Sequence, residues 1–264
     1  MQQTSYHYPL TTHAVEAALR AGVILRKGFG TKFAISSKES DHDLVTDYDK
    51  AAEEAILDYL GNHFPTHSFL AEESGLSIHS GSDIQWIIDP LDGTLNFAHQ
   101  IPMFCVSIAA MVKNEILIGV IYDPLLDELF IAEKGFGAFL NGKRLVVSHR
   151  DSIKKAVLAT GFPYSSEAMR EASIGQFMKF VEYTSPLRIL GSAALTMAYV
   201  AAGRFDVYWG SNLQSWDLAA AVLLIVEAGG RVTHFDGSPQ NIFERSNILA
   251  TNTFLHDQAL SILK

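Results

Sequence analysis

The chain of 264 residues has one cysteine, Cys105. A single thiol excludes an intramolecular disulfide framework and a cysteine-rich zinc site. Basic residues are scarce, 20 Lys+Arg against 29 Asp+Glu, for a formal net charge of −9. A nucleic-acid or anionic-membrane surface needs clustered Lys and Arg, so neither nucleic acid nor membrane is expected as a partner. No apolar run reaches the roughly 18 residues of a membrane span. The best candidate, Leu218–Ala228, is short and follows Asp217. Met1–His13 offers neither a basic region nor an apolar one, so no secretory signal is expected and the default compartment is the cytoplasm. A Gly-x-Ser-x-Gly elbow and a P-loop are both missing, which leaves serine-hydrolase and P-loop chemistry unsupported. The histidines show no zinc spacing; His63 and His67 are separated by Pro65.

What the chain has is apolar substance: 48% hydrophobic residues and 19% charged. That composition folds. Helical spacing predicts a helix over Ala14–Phe29 and another over Asp49–Leu60, with a polar loop, Thr31–His42, between them. Short apolar runs follow at Ser68–Ala71 and Gln85–Ile88. Phe104–Val112, Ile116–Tyr122 and Glu128–Ala132 read as strands of an antiparallel meander, and Gly135–Gly142 as a turn. From about His149 strands alternate with helices: Val157–Thr160, then Glu167–Tyr183; Leu187–Leu190, then Ser192–Ala202; Phe205–Tyr208, then Trp216–Ala228. Strands at Arg231–Phe235 and Ile248–Thr251 and a helix at Phe254–Leu263 close the chain. The pattern predicts layered sheets covered by helices, in two subdomains, 1–148 and 149–264, tightly packed with no linker.

The chemical signal is a repeated placement of acids where apolar runs stop. In Ile87-Ile88-Asp89-Pro90-Leu91-Asp92-Gly93-Thr94, Pro90 forces Asp89 out of helical geometry. Gly93 permits a left-handed backbone or a close approach. Two carboxylates bent by Pro and Gly, with the Leu91 carbonyl between them, can converge on one point, and oxygen-only ligands suit Mg²⁺. The plain alternative is a capped turn with Asp92 as the cap. Three more acidic sites occur. Glu72-Glu73 follows the run at Phe69, with a solvated loop start as its alternative reading. Asp43, Asp47 and Asp49 surround a helix start, where Asp49 would serve as N-cap. Asp217 opens a very apolar helix, where an acid complements the helix dipole. Four such coincidences together suggest a carboxylate cluster for two or three cations, an arrangement suited to phosphoryl chemistry.

At these residues the sequence resembles the inositol monophosphatase family of Mg²⁺-dependent, lithium-sensitive phosphatases. The matching segments are Asp43-Leu44-Val45-Thr46 with Asp49, Glu72-Glu73-Ser74, Trp86 to Phe97, Trp216-Asp217-Leu218-Ala219-Ala220, Gly191 to Ala194, Gly135 to Gly142, and Glu227 to Gly230. The resemblance implies an α+β fold, an αβαβα layered sandwich, usually as a homodimer, and a phosphoric monoester hydrolase. Glu72, Asp89 and the Leu91 carbonyl would hold one Mg²⁺, and Asp89, Asp92 and Asp217 a second. Glu72 would help with a third, and Mn²⁺ could substitute. Asp49, Glu72 and Thr94 would be catalytic, with Thr94 orienting a water and Asp49 accepting from the Thr94 hydroxyl. Asp92, Gly93, Thr94, Gly191, Ser192, Ala193 and Asp217 would meet the substrate, a small phosphate ester, and Lys38 would sit on a mobile loop near the metals. Candidate esters are inositol phosphates, fructose 1,6-bisphosphate, other sugar or polyol phosphates, histidinol phosphate and 3′-phosphonucleotides. Some members instead act mainly by binding partners in transcription or the ribosome. Two departures stand out. Ala221 replaces a family glycine, with little consequence in a helix. Gly210 replaces a glutamate that meets substrate hydroxyls in inositol-selective members, so it should open space, with Trp209, Asn212 and Gln214 near the ligand.

Overall fold

The first helix, α1 (Pro9–Gly28), begins five residues before the apolar periodicity suggests. Pro9 suits a first helical position, where its missing N–H is no loss. A remote acid supplies the cap: Glu133 accepts from the backbone N–H of His7 and Tyr8 at 3.1 and 2.9 Å and from the Thr11 hydroxyl at 2.7 Å. The computed structural model describes residues 6–37, 44–79, 81–163, 167–183 and 186–264. Lys38 and Asp43 lie outside the described residues.

Part of the predicted polar loop is strand. β1 (Ile35–Ser37) pairs antiparallel with β2 (Leu44–Thr46). α2 (Asp47–His63) follows directly. Its N-cap is Thr46, not Asp49. The Thr46 hydroxyl accepts from the Tyr48 and Asp49 amides, while Asp49 Oδ2 accepts from the Thr46 amide at 2.8 Å, a reciprocal capping box.

An eight-stranded sheet is built from β3 (Ser68–Ala71), β4 (Gly75–Ser77), β5 (Ile84–Asp92), β6 (Cys105–Val112), β7 (Glu115–Asp123), β8 (Glu128–Glu133), β9 (Gly137–Leu140) and β10 (Lys143–Arg144), in the order β10-β9-β8-β7-β6-β5-β3-β4. Its pairs are antiparallel except β3 with β5. The glycine-rich stretch predicted as a turn contains β9. A one-turn helix, α3 (Thr94–Ala98), follows β5.

The second half lays down a five-stranded sheet. It comprises β11 (Leu158–Thr160), β12 (Leu187–Arg188), β13 (Val207–Leu213), β14 (Arg231–Thr233) and β15 (Ser246–Thr251), in the order β12-β11-β13-β15-β14. β11 runs parallel to β12 and β13; β15 is antiparallel to β13 and β14. Its helices are α4 (Glu167–Tyr183), α5 (Ala193–Ala201), α6 (Ser215–Glu227) and α7 (His256–Leu263).

The elements stack in five layers, αβαβα. α1 and α2 cover one face of the eight-stranded sheet through Ala14, Ala18, Leu25, Ile56 and Leu60. α5 and α6 fill the space between the two sheets, contacting strands of both. α4 and α7 close the outer face of the second sheet around Phe180 and Trp209. The middle layer is thin because its helices are rich in alanine. At Gly119 of β7 an added Cβ would lie 2.8 Å from the carbonyl oxygen and 2.9 Å from the Cα of Ala220 in α6. Helix backbone therefore rests almost on strand backbone, and this contact sets how far α6, with its first-turn Asp217, sits above the sheet.

That close approach predicts opposite outcomes for two glycines. Gly119→Ala should destabilise by about 1–3 kcal/mol, the usual cost of overpacking a site that cannot relax. Gly61→Ala, inside α2 where nothing lies within 4 Å of the new Cβ, should stabilise by about 0.4–1 kcal/mol. Denaturant melts of both variants check this; a neutral Gly119→Ala contradicts the packing account.

Candidate active site

β5 runs past Ile88, where the apolar pattern ends, to Asp92. Its register against β6 breaks between Asp89 and Asp92. Pro90 has no N–H for the ladder, so the strand kinks there. The kink turns Asp89 and Asp92 in the same direction. Asp89, 1% exposed, accepts from the Leu91 amide at 3.0 Å. Glu72 follows β3, and its amide donates to the Ile88 carbonyl at 3.1 Å, so the parallel pairing delivers Glu72 beside Asp89. Glu53, buried on α2 one turn after Asp49, accepts from the Glu73 amide at 2.8 Å and holds that corner.

Asp92 does act as a cap, but for a distant helix. It accepts from the Ser192 hydroxyl at 2.5 Å and from the Ala194 and Ala193 amides at 2.7 and 3.2 Å. An acid from the first sheet thus satisfies the N-terminus of α5 and favours its dipole. The N-cap of α3 is Gly93, at φ 106, where an added Cβ would stand 2.9 Å from the Met103 carbonyl oxygen. Asp217 sits in the first turn of α6 and accepts from the Gln214 amide at 2.7 Å. The Ser107 hydroxyl of β6 donates to the Trp216 carbonyl at 3.2 Å, tying that helix start to the first sheet.

The result is convergence. One carboxylate oxygen each from Asp89, Asp92 and Asp217 lies within 4.8 Å of the others. Burial, then the charges of Glu72, Asp92 and Asp217, push the Asp89 carboxyl well above the usual range. Burial also raises Asp92, against the hydroxyl and amides that favour its ionised form. Burial and the Asp92 charge raise Asp217 strongly; the Gln214 amide and Arg245 oppose them. Burial is the first cause for all three, and like charge from neighbouring carboxylates adds to it for Asp89 and Asp217. An oxygen-only set of this density fits a hard divalent cation.

Beside the cluster, the Thr94 hydroxyl lies 2.8 Å from Asp49 Oδ1 and 3.1 Å from the Leu91 carbonyl; its one proton goes to the nearer, charged acceptor. The far oxygen of Asp49 takes the Thr46 amide and hydroxyl, so the Asp49 carboxylate is held at both ends.

Glu72, Asp92 and Asp217 border a cleft of about 480 Å³. Gly191, Ser192 and Ala193 also line it. Gly191 has φ +80, and its α-carbon leaves room for the Asn96 amide, which donates to the Met103 and Leu190 carbonyls. Asn212 and Gln214 line the cleft as well, but Trp209 does not: it is buried and stacked on Phe180 at 4.1 Å. The absence of a side chain at Gly210 leaves no open space there. A Cβ would meet the Tyr208 hydroxyl at 2.7 Å, so that phenol occupies the volume a side chain would need. Sequence reasoning passed over Glu53, Tyr208 and Arg245. Glu53 carried one signal, its i+4 spacing from Asp49; the other two face the site only through the β13–β15 pairing.

Comparison with known proteins agrees with this geometry. The sequence profile of the inositol monophosphatase family matches residues 7–264. Nus factor SuhB of Salmonella typhimurium is 43% identical over 246 residues, 93% of this chain and 92% of that protein. Among solved structures, extragenic suppressor protein suhB from Bartonella henselae superposes with a TM-score of 0.93 at 40% identity, covering 97% and 99% of the two chains. Inositol monophosphatase from Anabaena gives 0.87 at 41%, covering 96% and 94%.

The electrostatics predict a pH dependence. A carboxyl whose folded-state pKa is raised binds its proton more tightly in the folded chain. Metal-free stability therefore falls as pH rises from about 4 through the raised values. Asp89→Asn removes one charge and keeps an acceptor for the Leu91 amide. Without metal it should melt above the unmodified protein at pH 8, each kcal/mol appearing as about 2–4 °C, and the gap should close toward pH 4. Equal or lower melting at pH 8 contradicts the repulsion.

Proposed function

Because the chain belongs to the inositol monophosphatase family, we propose that it is a Mg²⁺-dependent phosphomonoesterase acting on a small polyol or sugar phosphate. The observation that carries the reading is the meeting of Asp89, Asp92 and Asp217 beside a ligand-sized cleft. Glu72, Asp89 and the Leu91 carbonyl would hold one cation, and Asp89, Asp92 and Asp217 another. Bound cations would supply Lewis acidity and positive charge for the phosphoryl oxygens.

The chain's own residues do the rest. Thr94 gives its proton to Asp49, so the oxygen of Thr94 presents lone pairs to a water and can take that water's proton as its own passes to the carboxylate. The two bonds from Thr46 hold Oδ2 of Asp49 and leave Oδ1 aimed at the Thr94 hydroxyl. Glu72 is a second acceptor on the same side. The Gly93 and Thr94 amides hold the phosphate, which needs the left-handed turn at Gly93. The alcohol portion lies in the cleft past Ser192 and Ala193, and a water held by Asp217 returns a proton to the departing alkoxide.

One observation favours a second reading: relatives at this identity are named Nus factors. On it, the chain binds a protein of the transcription machinery, with phosphatase activity secondary. The expectation of no nucleic-acid partner, drawn from net charge, does not stand beside that name. A protein can reach nucleic acid through a partner without a basic surface of its own.

Two outcomes test these readings. Activity on a panel of phosphate esters should require Mg²⁺ and vanish in EDTA. Thr94→Val should lower kcat by about 10²–10⁴ with little change in KM, the size of a lost proton relay. Unchanged kcat removes Thr94 from the mechanism. The same variant separates the readings more cleanly than Asp92→Asn, which would also uncap α5. Transcription-factor capture that survives in Thr94→Val, from a protein with no esterase activity on the panel, would favour the binding role.

A further inference from the structure

β13 and the end of β11 form one wall of the cleft, and Tyr208 of β13 lines it. Tyr208 is 2% exposed, and among the described residues its hydroxyl has no hydrogen-bond partner. The reason is the backbone around it. Residues two apart on a strand share a face, so Gly210 follows Tyr208 on the same side. An added Cβ at Gly210 would stand 2.7 Å from the phenol oxygen. β11 runs parallel to β13 with Ala159 beside Tyr208, and Gly161 comes just after that strand. A Cβ at Gly161 would lie 3.7 Å from the same oxygen. Both glycines line the cleft, and neither has a side chain to offer. The Thr160 hydroxyl between Ala159 and Gly161 donates instead to the Trp209 carbonyl at 2.8 Å. A buried hydroxyl without a partner is costly, and buried tyrosines normally find one. Tyr122, 1% exposed, does so by donating to Asp127 at 2.7 Å. Tyr208 is orphaned where a ligand can reach it.

We infer that Tyr208 is a specificity-determining residue whose hydroxyl donates a hydrogen bond to a hydroxyl on the alcohol portion of the substrate. This rests on the phosphomonoesterase reading and adds a residue to it. In that reading the phosphate is held by the cations and by the Gly93 and Thr94 amides after β5, which leaves the β13 wall to the alcohol. Burial, then the charges of Asp92 and Asp217, push the phenol well above its usual range, so the group stays a donor. A substrate hydroxyl can accept that bond. A methylene in its place would leave the phenol both dry and unbonded. A site built around a bond to a hydroxyl therefore discriminates against an analogue that lacks it.

The test compares esters that differ only in hydroxyls: inositol 1-phosphate against cyclohexyl phosphate, and glycerol 2-phosphate against isopropyl phosphate. In Mg²⁺ the unmodified protein should show a higher kcat/KM for the hydroxylated member of at least one pair. Tyr208→Phe should cut that ratio by about tenfold, the value of one hydrogen bond left unmade in a buried site. A second readout is independent of turnover. Because no described protein group relies on the hydroxyl, metal-free Tyr208→Phe should melt no lower than the unmodified protein. A lost internal hydrogen bond would instead lower melting by about 2–4 °C. Four outcomes overturn the inference and leave the phosphatase reading standing. They are a preference that is absent, a preference that survives Tyr208→Phe, a lowered melting temperature, and an equal fall on both members of a pair, which would put the phenol on the phosphate. Should no ester be hydrolysed, that reading fails, and calorimetric binding of inositol 1-phosphate in Mg²⁺ decides this one. Tenfold weaker binding by Tyr208→Phe supports it, and equal affinity or no binding overturns it.

Discussion

Mutual repulsion among Asp89, Asp92 and Asp217 is the force against which the surrounding structure is built. Three carboxyl oxygens within 4.8 Å, partly or wholly out of water, oppose folding while all are ionised. The fold meets that cost with geometry. Asp92 is bonded by a hydroxyl and two helix-start amides, Asp217 by the Gln214 amide, and Asp89 by the Leu91 amide. These bonds fix positions without cancelling charge. The arrangement stays electrostatically hungry, which is what a cation site needs and a purely structural turn does not.

The site exists only where the layers meet. β5 and the corner after β3 supply Asp89, Asp92 and Glu72 from the first sheet. The starts of α5 and α6, in the layer between the sheets, supply Ser192 and Asp217. The Asp92–Ser192 bond and the Gly119–Ala220 contact are two ends of one constraint: the first ties a helix start to the strand end, and the second presses its neighbour onto the sheet. Changes far from the carboxylates, along that alanine-lined contact, therefore act on the distance between them.

Much of this was legible in the sequence, for physical reasons. The apolar run to Ile88 and the acids that follow it were visible together, although β5 carries on through them to Asp92 because Asp89 and Asp92 still pair with β6 across a register shift. The five-layer fold followed from the resemblance carried by those motifs. What escaped depended on pairing across distance. The cap of α1 comes from Glu133, and the acid expected to cap a helix near Thr94 caps α5 instead. The short strands β1 and β9 consist of polar or glycine-bounded residues whose strand character comes from their partners. Gly210 showed most clearly where local reading fails. The missing side chain is evident in the sequence, but the Tyr208 phenol that fills its place arrives from two residues back along the same bulged strand.

The same bulge lies just before α6 and sets Gln214 at the cleft wall, where its amide holds Asp217. The account depends first on the cation-seeking cluster. Diffraction from crystals soaked in Mn²⁺, with anomalous differences recorded, addresses it directly. The account predicts at least one strong anomalous peak among Asp89, Asp92 and Asp217, with carboxylate oxygens at about 2.0–2.2 Å from it. Crystals that take up Mn²⁺ elsewhere while these three carboxylates remain without a peak would contradict it.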